Sequence, residues 1–121
     1  ENKMKQSLFI EQIMVVGEGE KMPAALIQPS FEYIKEWSTE KGIKIENTYE
    51  SVCENIDLIN AIQTEINFYN NDFSQWEKIK KFNLTPQVWN VDNGHLTPTM
   101  KVKRKVIKEK FKALIHEIYE K

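Results

Sequence analysis

Two short apolar runs near the start of the chain predict a β-hairpin. The first covers residues 9–16 and is rich in β-branched side chains, which is typical of a strand covered on both faces. The second covers residues 22–27 and is closed by Pro29. The connection at residues 17–21 contains two glycines, so we predict an antiparallel pair of strands joined by a turn.

The apolar residues then change to helical spacing. Ser30 is placed to cap a first helix, in which Phe31, Ile34 and Trp37 line one face. Gly42 predicts the end of this helix, because glycine readily adopts the left-handed conformation of a C-terminal cap.

Two further helices are predicted in the middle of the chain. A capping-box pattern at residues 47–50 starts a short helix that runs through Cys53, with Asn47 as the cap. A longer helix is predicted from Asn55, and the polar residues 70–72 are expected to end it. Its apolar stripe consists of Ile59, Ile62, Ile66 and Tyr69.

The last third of the chain predicts one more strand and a closing helix. Residues 82–89 have the composition of a strand but contain Pro86, which indicates an edge strand or a bend. Residues 92–94 read Asp-Asn-Gly, a strong turn signal. Residues 103–119 have helical periodicity. The apolar face of this closing helix consists of Ile107, Phe111, Leu114 and Ile118.

These elements predict an α+β fold, with a small, mainly antiparallel three-stranded sheet and helices packed against it. The chain has 121 residues, of which 40% are hydrophobic, so residues 1–121 are expected to form a single domain with a packed core. The same composition excludes a disordered tail.

Charge is spread unevenly along the chain. The formal net charge of −1 and the pI near 6.2 argue against a dedicated nucleic-acid binder. Residues 1–100 nevertheless carry nine basic and fifteen acidic side chains, whereas residues 101–121 carry eight basic and three acidic ones. The C-terminal segment is therefore expected to face an anion or an acidic partner.

The cysteine and histidine content predicts no disulfide and no metal site. Cys53 is the only cysteine, which fits a reducing compartment. His95 and His116 have no metal-ligand spacing to each other or to Cys53. Without a signal peptide or an apolar run of about 18 residues, the predicted location is cytoplasmic, with membrane-peripheral association as the alternative. The chain begins at Glu1 without an initiator Met, which suggests a domain of a longer protein.

A basic segment follows Pro98, which prevents a continuous helix through residues 97–100. Lys101 is therefore expected on an extended segment just before the closing helix. Three cations crowd the start of that helix: Lys103, Arg104 and Lys105. The helix macrodipole disfavours cations there by roughly 0.3–1 kcal/mol each, so stability alone does not explain them. A solvated polybasic helix start is the alternative interpretation.

Residues 96–104 read Leu-Thr-Pro-Thr-Met-Lys-Val-Lys-Arg. This segment resembles the C-terminal lysine motif of AMP-forming long-chain acyl-CoA synthetases, members of the adenylate-forming enzyme superfamily. The resemblance covers essentially all 121 residues. Residues 9–29 resemble the hairpin of that family's C-terminal domain, and residues 76–82 and 93–99 resemble its later half.

The resemblance implies that the chain is the mobile C-terminal lid domain of a larger long-chain fatty-acid–CoA ligase, whose hinge and large N-terminal adenylation domain are absent. Lys101 takes the position of the catalytic lysine, which contacts ATP during adenylation, and Arg104 takes the motif's arginine, with an implied nucleotide contact. The full-length enzyme would use ATP with Mg²⁺, a fatty acid and CoA. The chain alone is expected to be inactive and to hold no bound cofactor.

One departure from the family concerns Met100, because many members carry Gly directly before the lysine. We therefore expect no positive φ at this position. The alternative function, from a different class, is a non-catalytic interaction domain. Its basic C-terminal helix would bind an acidic protein, a membrane surface or RNA, although the net charge weighs against nucleic acid.

Overall fold

The computed structural model describes residues 4–17, 22–45, 48–73 and 78–120. A 3₁₀ turn at Met4–Gln6 precedes three strands and five helices in these ranges. In chain order these elements are β1 (Ile10–Val16), β2 (Ala24–Pro29), α1 (Phe31–Lys41), α2 (Tyr49–Glu54), α3 (Ile56–Asn70), β3 (Lys81–Leu84), α4 (Arg104–Lys110) and α5 (Lys112–Glu120). In the described part of the chain, no helix is both long and apolar enough to cross a membrane.

The three strands form one sheet in the order β1-β2-β3, which confirms the α+β class. Strands β1 and β2 are antiparallel, with register from Ile10↔Pro29 to Val16↔Ala24, as predicted. Strand β3 instead pairs in parallel with β2, so the sheet is mixed. The parallel pairing is possible because three helices lie between the two strands and carry the chain back to the same end of the sheet. Strand β3 lies at an edge and ends before Pro86, so it is shorter than predicted.

Helices cover both faces of the sheet. The sheet divides the core in two, because alternate strand residues point to opposite faces. In the first core, helices α1, α2 and α3 pack on Ile13, Ala25 and Ile27. In the second core, helices α4 and α5 pack on Met14 and Leu26. The buried members of the second core are Met14, Val16, Ala24, Leu26, Trp89, Leu96, Ile107, Phe111 and Ile118.

The helix ends agree with the local sequence signals, except that the N-cap of α2 lies one residue later than predicted. Gly42 has φ 68° and donates its N–H to the last carbonyls of α1, which confirms the predicted cap. The Asn55 side chain accepts from Leu58 N at 3.0 Å and caps α3. Ser30 occupies the N-cap position of α1, but its side chain makes no capping bond. The cap of α2 is Thr48, one residue later than predicted, because its hydroxyl accepts from Ser51 N at 3.2 Å.

Some predictions fall outside the described residues, namely the turn at residues 18–21, Asn47 and the segment around Trp76. The closing helix was predicted as one element, which is wrong. Phe111 adopts φ −107° and ψ 26° and separates α4 from α5, although hydrogen bonds continue on both sides of it. The Phe111 ring lies in the second core beside Trp89, at 6.0 Å between ring centroids.

Residues 95–103 form a small hairpin, here called the lysine hairpin. Leu96 and Val102 form an antiparallel bridge, and Lys103 N donates to His95 O at 2.9 Å. At the tip, Met100 N donates to Thr97 O at 2.8 Å and Thr97 N donates to Lys101 O at 2.7 Å. This is the pattern of a three-residue loop built on a tight turn and closed by a left-handed residue.

The left-handed residue of this loop is Met100, with φ 66°. Residues 97–100 are not helical and Lys101 lies on the extended returning arm, as predicted, whereas the expectation of no positive φ at Met100 is wrong. The reason is the loop itself, since a three-residue connection with this hydrogen bonding needs its third residue in the left-handed region whatever its side chain. Pro98 suits the first position, because its fixed φ matches the start of the turn.

We predict that Asn70→Ala lowers the free energy of unfolding by about 2–4 kcal/mol. The buried Asn70 amide donates to Ile79 O at 2.9 Å and accepts from Ile79 N at 3.0 Å, tying the end of α3 to the segment before β3. Its loss leaves both backbone groups without these bonds. Asn60→Ala, at an exposed site in the same helix, is the control and should change stability by less than about 0.5 kcal/mol. Guanidinium unfolding of the chain measures both variants, and equal effects would contradict the assignment.

We predict that Met100→Gly raises the free energy of unfolding by about 1 kcal/mol, because glycine adopts positive φ without the steric cost of a β-carbon. Met100→Val should lower it, since a β-branched residue is strained there. Glu36→Gly, at an exposed position inside α1, is the control and should cost about 1 kcal/mol. Thermal and guanidinium unfolding distinguish the signs. A loss of stability in Met100→Gly equal to that in the control would exclude the left-handed conformation.

Candidate functional site

Lys101 lies directly after the left-handed residue, on the returning arm of the lysine hairpin. Its backbone is fixed from two sides by Thr97. The Lys101 N–H donates to Thr97 Oγ1 at 3.1 Å, and its carbonyl accepts from Thr97 N at 2.7 Å. The residue itself is exposed. The hairpin therefore combines a fixed backbone with a solvent-facing cation.

The two threonine hydroxyls of the loop serve its geometry. Thr97 Oγ1 and Thr99 Oγ1 lie 3.0 Å apart, in addition to the bond from Lys101 N. Neither hydroxyl is expected to act as a nucleophile, because the sequence shows no base partner for them. Their contacts give both a structural role in holding the loop below Lys101.

Arg104 connects the start of α4 to the sheet. Its guanidinium Nη2 donates to the carbonyl oxygen of Val15 in β1. This contact joins residues 89 positions apart in the chain, so sequence reasoning did not reveal it. Arg104 thus positions the helix that follows the lysine hairpin. Its implied nucleotide contact stays a prediction.

A cavity of about 280 Å³ lies between β1 and the lysine hairpin. Its lining residues are Lys5, Gln12, Ile13, Met100, Lys101, Val102 and Arg104. Three of these side chains are cationic, so the cavity favours phosphate or carboxylate oxygens over cations. Gln12 is buried in its wall, and its Oε1 has no hydrogen-bond partner among the described residues. A second cavity, of about 420 Å³, lies between α1 and α2 and shares no lining residue with the first.

His95 lies at the base of the lysine hairpin and is fully buried. Its Nε2 is 2.9 Å from Lys110 Nζ, and its ring contacts Phe111 edge-on at 5.6 Å between centroids. Burial and the Lys110 ammonium lower the pKa of His95, and the nearby Val88 carbonyl acts weakly in the opposite direction. The sequence showed only a lone histidine beside a turn. The contact with Lys110 depends on the hairpin folding back onto α4.

Among the described residues, neither Cys53 nor His116 forms part of a catalytic arrangement. Burial, followed by the carboxylates of Glu50 and Glu54, raises the pKa of the Cys53 thiol to about 12, so the thiol stays protonated at neutral pH. His116 pairs with Glu120 at 2.8 Å on the exposed face of α5. Within the described ranges, no group of three or more histidine, cysteine or acidic residues is arranged to hold a metal ion.

Comparisons with known proteins confirm the family resemblance. The sequence profile of the family described as AMP-binding enzyme C-terminal domain matches residues 1–121. The chain is 35% identical over 121 residues to the long-chain-fatty-acid–CoA ligase FadD15 of Mycobacterium tuberculosis, covering 100% of this chain and 20% of the relative. It is 31% identical over 122 residues to the human long-chain-fatty-acid–CoA ligase 1, covering 98% of this chain and 17% of that protein. The chain thus spans about a fifth of the length of the curated relatives it matches.

Solved structures show the same fold. The A-PCP didomain of carboxylic acid reductase from Segniliparus rugosus, in complex with AMP, superposes with a TM-score of 0.74 at 15% identity, covering 99% of this chain and 15% of that one. The adenylation domain of a carboxylate reductase from Mycobacterium chelonae gives a TM-score of 0.74 at 17% identity, covering 98% of this chain and 17% of the other. The profile match along every residue, together with relatives above 30% identity, shows that the chain belongs to the AMP-binding enzyme C-terminal domain family.

Proposed function

We propose that this chain is the mobile C-terminal lid domain of an AMP-forming long-chain fatty-acid–CoA ligase, and that Lys101 supplies the positive charge needed for adenylation of the fatty acid. Family membership and the names of the relatives support the reaction class. The observation that carries the proposal is the placement of Lys101. Its exposed side chain stands on a hairpin whose backbone is fixed by hydrogen bonds on both sides.

Adenylation brings two anions together. A carboxylate oxygen of the fatty acid attacks the α-phosphorus of ATP, the bond to the β-phosphate oxygen breaks, and pyrophosphate leaves. A lysine ammonium is a compact cation with three donors, so it can contact a carboxylate oxygen and an α-phosphate oxygen at once. Such a charge stabilises the transition state more than the separated reactants, because negative charge is concentrated there.

The second half-reaction has a different need. The CoA thiolate attacks the acyl carbonyl, the bond to the phosphate oxygen breaks, and AMP leaves. No second anion has to approach the α-phosphate in this step. We propose that the domain rotates about its hinge between the two steps and carries Lys101 away from the nucleotide.

The described residues fit part of the substrate set. The cationic cavity around Lys101 suits phosphate and carboxylate oxygens, and Mg²⁺ bound with ATP would add further positive charge at the phosphates. The adenine, the acyl chain and the remaining ATP contacts are assigned to the large N-terminal domain, which is the principal partner of this one. The isolated chain is accordingly proposed to be inactive and to bind ATP and CoA only weakly. We further propose a cytoplasmic location, with peripheral membrane contact as the alternative.

The alternative function as an interaction domain needs the basic residues of α4 to act together on an acidic partner. Two of them are engaged inside the domain, since Arg104 donates to Val15 O and Lys110 lies 2.9 Å from the His95 ring nitrogen. Fewer cations therefore remain to form a patch. This observation favours the ligase assignment over binding to RNA, a membrane or an acidic protein.

The proposal predicts that Lys101→Ala separates the two half-reactions in the full-length protein. Removal of one charge from a prearranged site typically costs on the order of 3–4 kcal/mol of transition-state stabilisation, or about 10²–10³ in rate. Adenylation, followed by fatty-acid-dependent pyrophosphate release in single-turnover experiments, should fall by that factor. Thioester formation from supplied acyl-adenylate should change little.

Lys103→Ala is the matched control, because it removes an exposed cation two residues away. It should reduce adenylation far less than Lys101→Ala does. Equal losses in both half-reactions, or equal effects of the two substitutions, would contradict the role of Lys101.

A further inference from the structure

The lysine hairpin is fixed to the second core through His95. The backbone of this residue closes the base of the hairpin, since its carbonyl accepts from Lys103 N at 2.9 Å. Its own N–H donates to Asn93 Oδ1 at 3.2 Å, which ties the hairpin to the preceding turn. His95 is 0% exposed, so any change in its ring must be accommodated by the groups packed around it.

The contact with Lys110 defines the protonation state of the ring. An ammonium can only donate, so the His95 Nε2, 2.9 Å from Lys110 Nζ, must accept. This assigns the neutral imidazole with its proton on Nδ1, an atom that is buried and has no hydrogen-bond partner among the described residues. The described groups that act on the ring are the Lys110 ammonium from α4, the Val88 carbonyl, and the rings of Trp89 and Phe111.

A proton on Nε2 would turn this hydrogen bond into a contact between two cations. Like charges at that distance repel, so the ring and Lys110 would have to separate. His95 belongs to one arm of the hairpin, and Lys110 lies on α4, the helix that continues from the other arm. Their separation would loosen the hairpin from both ends.

We propose that His95 is a positioning residue for Lys101, whose neutral ring, held by Lys110, keeps the lysine hairpin docked and whose protonation releases it. The proposal rests on the proposed function of Lys101. It adds that adenylation depends on the charge of a buried group that does not touch the substrates. The lowered pKa of His95 agrees with this, because it keeps the ring neutral at pH 7 and delays protonation to more acid solution than the ordinary value of 6.5.

The test measures the adenylation rate of the full-length protein between pH 5 and 8 for the wild type, His95→Gln and Lys110→Met. Glutamine offers an amide oxygen to Lys110 and cannot gain a proton. Below the pKa of the ring, the wild-type adenylation rate should fall about tenfold for each pH unit. This fall is in addition to any decline that the His95→Gln variant also shows. Lys110→Met removes both the donor that holds the neutral ring and the cation that repels the protonated ring, so its rate should be lower already at pH 8 and should not share the extra decline of the wild type.

Hydrogen exchange of the same full-length proteins provides a readout that does not depend on catalysis. After correction for intrinsic exchange, protection of the Thr97, Met100 and Lys103 amides should fall between pH 7.5 and pH 5.5 in the wild type. It should already be low at pH 7.5 in Lys110→Met, and it should stay constant with pH in both variants. If His95→Gln does not fold, the comparison of wild type with Lys110→Met decides the question. A pH-dependent loss of protection in the wild type alone supports the proposal, and the same loss in both proteins contradicts it.

Identical pH profiles and identical protection in all three proteins would overturn the proposal, because titration of the substrates affects all of them equally. Lys101→Ala, assayed in parallel, separates this result from failure of the proposed function. Normal adenylation by Lys101→Ala would refute the role of Lys101 itself. A large loss in Lys101→Ala, combined with an unchanged profile in His95→Gln, would refute only the role of His95.

Discussion

Closure of the three-residue loop at residues 98–100 is the constraint on which the site depends. Thr97 supplies its N–H, its carbonyl and its hydroxyl to this closure, and all three bond to residues 99–101. The loop is therefore fixed by its own backbone, and the Lys101 side chain remains available to the solvent. Contacts further along the chain then hold the hairpin in place, with Arg104 joined to β1 and His95 buried in the second core.

Features that depend on neighbours in the sequence could be predicted. The cap at Gly42, the start of α3 at Asn55 and the antiparallel pair of β1 and β2 each follow from a few adjacent residues. The parallel pairing of β3 could not be predicted in this way. It depends on how three helices pack on the first core and return the chain, which is a property of the whole domain. The break at Phe111 could not be predicted either, because residues 104–120 contain no glycine or proline.

The same distinction applies to the site. The order of residues in the motif located Lys101. The positive φ of Met100 could not be predicted from its side chain, because it depends on the length of the loop. The partners of Arg104 and His95 lie 89 and 15 residues away, and no local pattern specifies them. The cations at the start of α4 lie at the end of the macrodipole that disfavours positive charge. Arg104 nevertheless has a structural role there, because its hydrogen bond to the Val15 carbonyl offsets part of the electrostatic cost.

A crystal structure of the full-length protein, with a fatty acid and an ATP analogue that cannot be cleaved beside the α-phosphate, tests the role of Lys101 most directly. Lys101 Nζ should lie within about 3 Å of both an α-phosphate oxygen and a carboxylate oxygen, with the lysine hairpin docked as described here. A different cation in that position, with Lys101 still facing solvent while both substrates are bound, would contradict the assignment.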